Sequence, residues 1–147
     1  MKSVFNIINA ARNLLNVEVV RSSISGSIYK VEAPKKGLED ITINVLTIGG
    51  DYLQRGVLNV NLYLKDLKSG LANTKRFEEL SNIILPLLDN KKAVDYDITM
   101  IVNGQEQSLF EDHSYVFFEI DSPGVILKDQ ERENTHFLNI KLKYQTL

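Results

Sequence analysis

From Leu138 to Tyr144 the sequence alternates without a miss: Leu138, Ile140, Leu142 and Tyr144 are apolar, and Asn139, Lys141 and Lys143 between them are polar. Successive side chains of an extended strand point to opposite faces, so this run has one apolar and one polar side. A strand of a parallel sheet is covered on both faces and reads as a continuous apolar run. Strict alternation instead indicates a half-buried antiparallel strand. The chain must therefore build a sheet with one face closed by other elements.

Two segments have the helical period needed to close it. Val4, Phe5, Ile7, Ile8, Ala11, Leu14 and Leu15 recur at three- and four-residue intervals, Ser3 is placed to cap them, and Asn6, Asn9, Arg12 and Asn13 fall opposite. The second helix is expected from Asn73 or Thr74, with Phe77, Leu80, Ile83, Ile84, Leu87 and Leu88 on one side. Pro86 lacks an amide hydrogen and its ring collides with the carbonyl four residues earlier, so the last turn is expected to be kinked or already over.

Strand signals fill most of the remainder. Val17 to Val20, Ser27 to Val31, Ile41 to Leu46, Val57 to Leu64, Tyr96 to Val102, Gln105 to Phe110, Tyr115 to Ile120 and His136 to Tyr144 are rich in β-branched and aromatic residues. Asn103-Gly104 predicts a tight hairpin, because both central residues of that turn need positive φ. Pro34-Lys35-Lys36-Gly37 reads as a reversal, Ser25-Gly26-Ser27 as a linker and Asp121 to Thr135, with Pro123, Gly124 and a charged run, as a long loop. In Val57 to Leu64 the asparagines Asn59 and Asn61 alternate with leucine and valine, and Tyr63 interrupts the polar side and is expected to find cover. The predicted architecture is α+β over a single domain, 1–147: a mainly antiparallel sheet with an N-terminal helix and a second amphipathic helix packed on it.

Composition narrows the function classes. With 44% apolar and 24% charged residues the chain has the make-up of a folded globular domain. A net charge of -2, with basic residues scattered as the pairs Lys35-Lys36, Lys75-Arg76 and Lys91-Lys92, disfavours tight or sequence-specific binding to nucleic acid. The absence of cysteine excludes disulfides, thiolate nucleophiles and cysteine zinc sites, and suits a reducing cytoplasm. The run Met1 to Leu15 is broken by Asn6, Asn9, Arg12 and Asn13, so it lacks the continuous apolar region of a signal peptide. No stretch approaches the roughly 20 apolar residues of a membrane span.

Reactive chemistry is sparse. Two histidines, His113 and His136, do not suffice for a three-histidine metal site. Ser22, Ser23, Ser25 and Ser27 stand in no nucleophile elbow, and Gly49-Gly50 is not followed by the lysine and hydroxyl residue of a phosphate loop. The acid pairs Asp95 with Asp97 and Glu131 with Glu133 read as solvated edges rather than as a proton-transfer or metal pair. No catalytic residue, cofactor or metal ligand is predicted. The candidate site is an interface instead: Gly49 to Gly56 reads as a glycine-flanked connection presenting Asp51, Tyr52, Leu53, Gln54 and Arg55 between two strands. Tyr and Arg are the residue types in which interfaces concentrate binding energy.

Three stretches carry a resemblance. Ser27-Ile28-Tyr29-Lys30-Val31-Glu32-Ala33-Pro34, the helix motif Phe77-x-x-Leu80 with Ile83-Ile84, and His136-Phe137-Leu138-Asn139-Ile140-Lys141-Leu142 are similar to segments of bacteriophage tail terminator and head-to-tail connector (tail completion) proteins. The order of elements resembles that family too. The chain departs from it at Ile41-Thr42-Ile43-Asn44-Val45, where the group often has Pro-Tyr-Val. The resemblance implies a non-enzymatic virion protein, made in the host bacterial cytoplasm, that forms a ring of six or twelve copies at the head-tail junction. Its neighbours would be portal, adaptor or tail proteins, and DNA would pass through the ring. A different class of function, a small adaptor that binds protein through an exposed sheet edge, fits the same composition.

Overall fold

Two long strands form the middle of the molecule: β3 (Gln54–Lys65) and β8 (Thr135–Thr146) pair antiparallel without a break, from Gln54 opposite Thr146 to Lys65 opposite Thr135. The computed structural model describes residues 2–49, 53–94, 99–102, 105–108 and 115–146. Around that pair stand β1 (Ile28–Lys30), β2 (Ile41–Gly49), β4 (Lys91–Val94) and β7 (Tyr115–Lys128), giving a six-stranded sheet in the order β1-β2-β3-β8-β7-β4. β1 runs parallel to β2 and the other pairs are antiparallel. The helices are α1 (Val4–Leu15), the single turn α2 (Glu18–Arg21) and α3 (Thr74–Leu88). The fold is α+β, as the periodicities require.

One face of the sheet is closed. Ile41 and Ile43 of β2, Leu58, Val60, Leu62 and Leu64 of β3, Val116 and Phe118 of β7, and Leu138, Ile140, Leu142 and Tyr144 of β8 are all buried. Against them lie Ile7, Ile8, Ala11 and Leu15 of α1 and Phe77, Leu80, Ile84 and Leu88 of α3. Each large aliphatic or aromatic side chain buried this way contributes about 1.5–3 kcal/mol of transfer free energy. α1 touches β1 and β2 on one flank and β4 and β7 on the other, so the sheet curls about it. Ser3 Oγ accepts from the Asn6 amide and Asn6 Oδ1 accepts from the Ser3 amide, which satisfies two otherwise orphaned donors at the start of α1. At the start of α3 the Asn73 side chain accepts from the Arg76 amide, which satisfies one such donor.

The sheet overrides several local readings. Val17 to Val20 is not a strand: the chain turns at Asn16 and winds into α2, with Val20 buried and Arg21 donating back to the Asn16 carbonyl at 2.8 Å. Contact between α2 and α3 outweighs the β-propensity of three valines. Asp121 to Thr135 is not one long loop. β7 continues through Pro123 and Gly124 to Lys128 by two register shifts, one between Ile120 and Ser122 and one between Ser122 and Val125. A bulge leaves residues out of the ladder, which suits a proline without an amide hydrogen and a glycine at φ +149°. α3 runs past Pro86 to Leu88, its last turn held by the Asp89 amide on the Leu85 carbonyl and by the buried Leu88. Phe5 leaves the apolar stripe of α1 and is 59% exposed.

Ser25-Gly26-Ser27 is laced to the start of β2 rather than free. Gly26 donates to the Glu39 carbonyl, Ser25 Oγ accepts from the Glu39 amide, and Asp40 Oδ1 accepts from the Ser27 amide at 3.0 Å. The hairpin β5 (Thr99–Val102) with β6 (Gln105–Ser108) forms a two-stranded sheet of its own. Val102 opposite Gln105 leaves two residues for the expected Asn103-Gly104 turn, which lies outside the described residues.

Candidate functional site

The second face of the sheet carries the polar residues that the alternation puts there. Asn44 of β2 lies opposite Asn59 of β3, and Asn61 of β3 lies opposite Asn139 of β8. Their amides form a chain across three strands. Asn139 Nδ2 donates to Asn61 Oδ1 at 2.7 Å and to Asn59 Oδ1 at 3.0 Å, and Asn59 Nδ2 donates to Asn44 Oδ1 at 3.2 Å. Thr42 pairs with Asn61 in the same row. It is 1% exposed and its Oγ1 has no hydrogen-bond partner among the described residues. Leaving a buried hydroxyl unpaired costs about 1–3 kcal/mol.

Next to that row the face is roofed on two sides into a cleft of about 590 Å³. One wall is the segment after β1, Val31 to Lys35, and the other is the β7–β8 connection, Asp129 to Arg132. Its floor is Thr42, Tyr63 and Phe137. Tyr63, which the pattern left on the polar side, is covered as expected: its ring sits 5.3 Å from that of Phe137, with the Arg132 guanidinium 3.9 Å above it. Arg132 also donates to the Ala33 carbonyl at 3.3 Å and pairs with Asp129 at 3.6 Å, so one side chain ties the two walls together. Lys35 and Glu131 bridge the rim at 3.1 Å. Val31 has φ +70°, and the Glu32 amide donates to the Lys30 carbonyl across it. A β-branched residue in such a three-residue turn is strained, and strain of this kind persists where the surroundings enforce it.

A second groove, of about 450 Å³, opens at the other end of the sheet between Arg55, Val57, Phe117, Glu119, Lys143 and Gln145. It gathers one of the five predicted interface residues, Arg55. The connection expected from Gly49 to Gly56 is shorter than that, because β2 runs to Gly49 and β3 starts at Gln54. Gln54 is 3% exposed and not a projecting contact group: its side chain accepts from the Lys2 amide at 2.9 Å and donates to the Lys2 carbonyl at 3.0 Å, tying β3 to the start of α1. Leu53 is half-buried just before the strand, Arg55 is exposed on it, and Asp51 and Tyr52 lie outside the described residues.

The other described sequence candidates separate in space. His113, Asp95 and Asp97 lie outside the described residues. His136 is held by Asp66, with Nδ1 2.5 Å from Oδ1, at the end of the sheet where β3 finishes. Glu131 belongs to the cleft rim and Glu133 is exposed. Ser23 and Ser25 spend their hydroxyls on the Val19 carbonyl and the Glu39 amide. Among the described residues no three histidine, aspartate or glutamate side chains converge as metal ligands, and no helix is long and apolar enough to cross a membrane. Burial raises the Tyr144 hydroxyl above its ordinary range, opposed by a hydrogen bond with Gln54. Thr42, the asparagine chain and the Tyr63–Phe137–Arg132 stack were not singled out by motif. The visible signal was asparagine at alternate positions of one strand, Asn59 and Asn61. Which residues share a row depends on pairing register, which one strand does not encode.

No protein family matches the chain, and no curated protein matches it.

Proposed function

We propose that the chain is a non-enzymatic structural subunit that assembles head to tail with its own copies into a ring at the head-tail junction of a bacteriophage virion, as a tail terminator or connector. The observation that carries this reading is that exposed apolar groups stand at both ends of the sheet. At one end are Val125, Ile126 and Leu127 of β7, with Leu67 and the 68% exposed Leu71 on the connection that follows β3. At the other are Tyr115, which opens β7, and Phe5, one turn along α1 from the Lys2 that Gln54 holds. Ile126 is 39% exposed although it pairs with the core residue Leu138. A ring needs two different surfaces that match each other, whereas a two-fold dimer needs one that matches itself. The resemblance in the β1 region, in α3 and in β8 supports the virion setting.

A second reading, an adaptor that adds a partner's strand to its sheet, rests on a different observation. β4 pairs with β7 only from Tyr115 to Phe118, so among the described residues the outer edge of β7 from Asp121 to Lys128 faces no strand. Pro123 and the two bulges blunt part of that edge, which favours the ring.

Sedimentation velocity with negative-stain microscopy separates the two. Closed rings are expected, and the double variant Ile126→Lys with Leu127→Lys should return monomers whose melting temperature is nearly unchanged. A chain that stays monomeric at every concentration and binds extended peptides would overturn the ring in favour of the adaptor.

A further inference from the structure

We propose that the cleft over Thr42, together with the asparagine chain that leads away from it, binds a neutral oligosaccharide. The cleft shares Leu127 with the apolar end of the sheet that the ring reading uses, so a neighbouring copy seated there would narrow the cleft.

Charge excludes an ionic ligand first. The cleft presents three cationic side chains, Lys35, Lys128 and Arg132, and three carboxylates, Glu32, Asp129 and Glu131. Two pairs among them are already matched, Lys35 with Glu131 at 3.1 Å and Arg132 with Asp129 at 3.6 Å. A phosphate or carboxylate would find no spare positive field here, and an ammonium no spare negative one.

Hydrogen-bonding capacity then selects the class. Thr42 lines the cleft, and its Oγ1, both donor and acceptor, is buried just beneath that lining with no partner among the described residues. Two strands away, across Asn61, Asn139 spends both amide hydrogens on Asn59 and Asn61, which leaves its Oδ1 as an acceptor. Asn44 and Asn61 accept through Oδ1 and keep their Nδ2 groups as donors. The result is a line of alternating donors and acceptors whose orientations the chain itself fixes. A sugar hydroxyl, which donates and accepts at once, matches such a line, and an anion, which only accepts, does not. The apolar part of the cleft, with Phe137, Leu127, Val31 and Ala33, suits the C–H face of a pyranose ring. A volume of about 590 Å³ lies within the range of small-molecule sites, about 300–1,000 Å³, and the asparagine chain extends the track beyond it.

The test uses the full chain and a panel of neutral hexasaccharides of glucose, mannose, galactose, rhamnose and N-acetylglucosamine, with a sulfated hexasaccharide as the ionic arm. Amide NMR shifts on titration should map to Thr42, Asn61, Tyr63 and Asn139 for at least one neutral sugar. Thr42→Val fills the same volume without the hydroxyl. It should weaken binding by about ten-fold while its melting temperature holds or rises, because the unpaired group is gone. Asn139→Asp, which puts charge into the chain, should weaken binding as well. No shift at these residues with any neutral sugar at millimolar concentration, preference for the sulfated one, or undiminished binding by Thr42→Val would each overturn the proposal.

Discussion

Arg76 closes a two-point grip on Glu39, with Nε 2.7 Å from one carboxylate oxygen and Nη2 2.8 Å from the other. The same Nη2 donates to the Ser23 carbonyl, and Ser25 Oγ accepts from the Glu39 amide. The first turn of α3, the turn after α2 and the start of β2 are thereby joined at one partly buried point.

The grip predicts acid sensitivity. The Arg76 hydrogen bond holds the Glu39 carboxyl below its ordinary range, against burial, which pushes it up, and with help from the Ser25 amide and the guanidinium charge. Arg76 is correspondingly raised. Since Glu39 takes up a proton more readily unfolded than folded, its contribution is fully present above the ordinary carboxylate pKa and is lost as pH falls through the folded value. Urea denaturation between about pH 7 and about pH 3 should show a smaller acid loss for Glu39→Gln than for the native chain. Arg76→Ala should cost about 1–2 kcal/mol at neutral pH, the pair being partly open to solvent. Equal acid limbs for Glu39→Gln and the native chain would place the sensitivity elsewhere.

Gly26 should tolerate no side chain. A Cβ there would stand 1.9 Å from Asp40 Oδ1 and 2.6 Å from the Glu39 carbonyl oxygen. Because the carbonyl is backbone, β2 itself would have to move, and Asp40 would lose the Ser27 amide. Gly26→Ala is expected to cost about 1–3 kcal/mol in thermal or chemical denaturation. A cost below a few tenths would mean that the segment before β1 can shift as a unit.

Pro86 carries the opposite sign. It is exposed on α3, so replacing it removes no core contact, and an alanine would restore an amide hydrogen to the last turn. Pro86→Ala should stabilise the chain by about 1–2 kcal/mol. A loss of stability would show that the ring packs against something its exposure conceals.

The alternation in β8, the stripes of α1 and α3 and both helix caps were legible in the sequence, because each depends on a period or a contact within a few residues. Local signals failed where distant partners outweighed them. Val19 and Val20 wound into α2 against α3, Pro123 and Gly124 were absorbed as bulges because β8 offered a ladder on their flank, and Ser25 to Ser27 was fastened by Glu39 and Asp40, thirteen and fourteen positions away. The interface residues divided along the same line: Gln54 turned inward to hold Lys2, which no property of residues 49–56 announces. Which face each residue occupied was decided by the period-two geometry of its own strand. Which residues became neighbours, Thr42 beside Asn61 and Asn61 beside Asn139, was decided only by the pairing register of β2, β3 and β8, and the cleft exists because that register brings the two walls over one row.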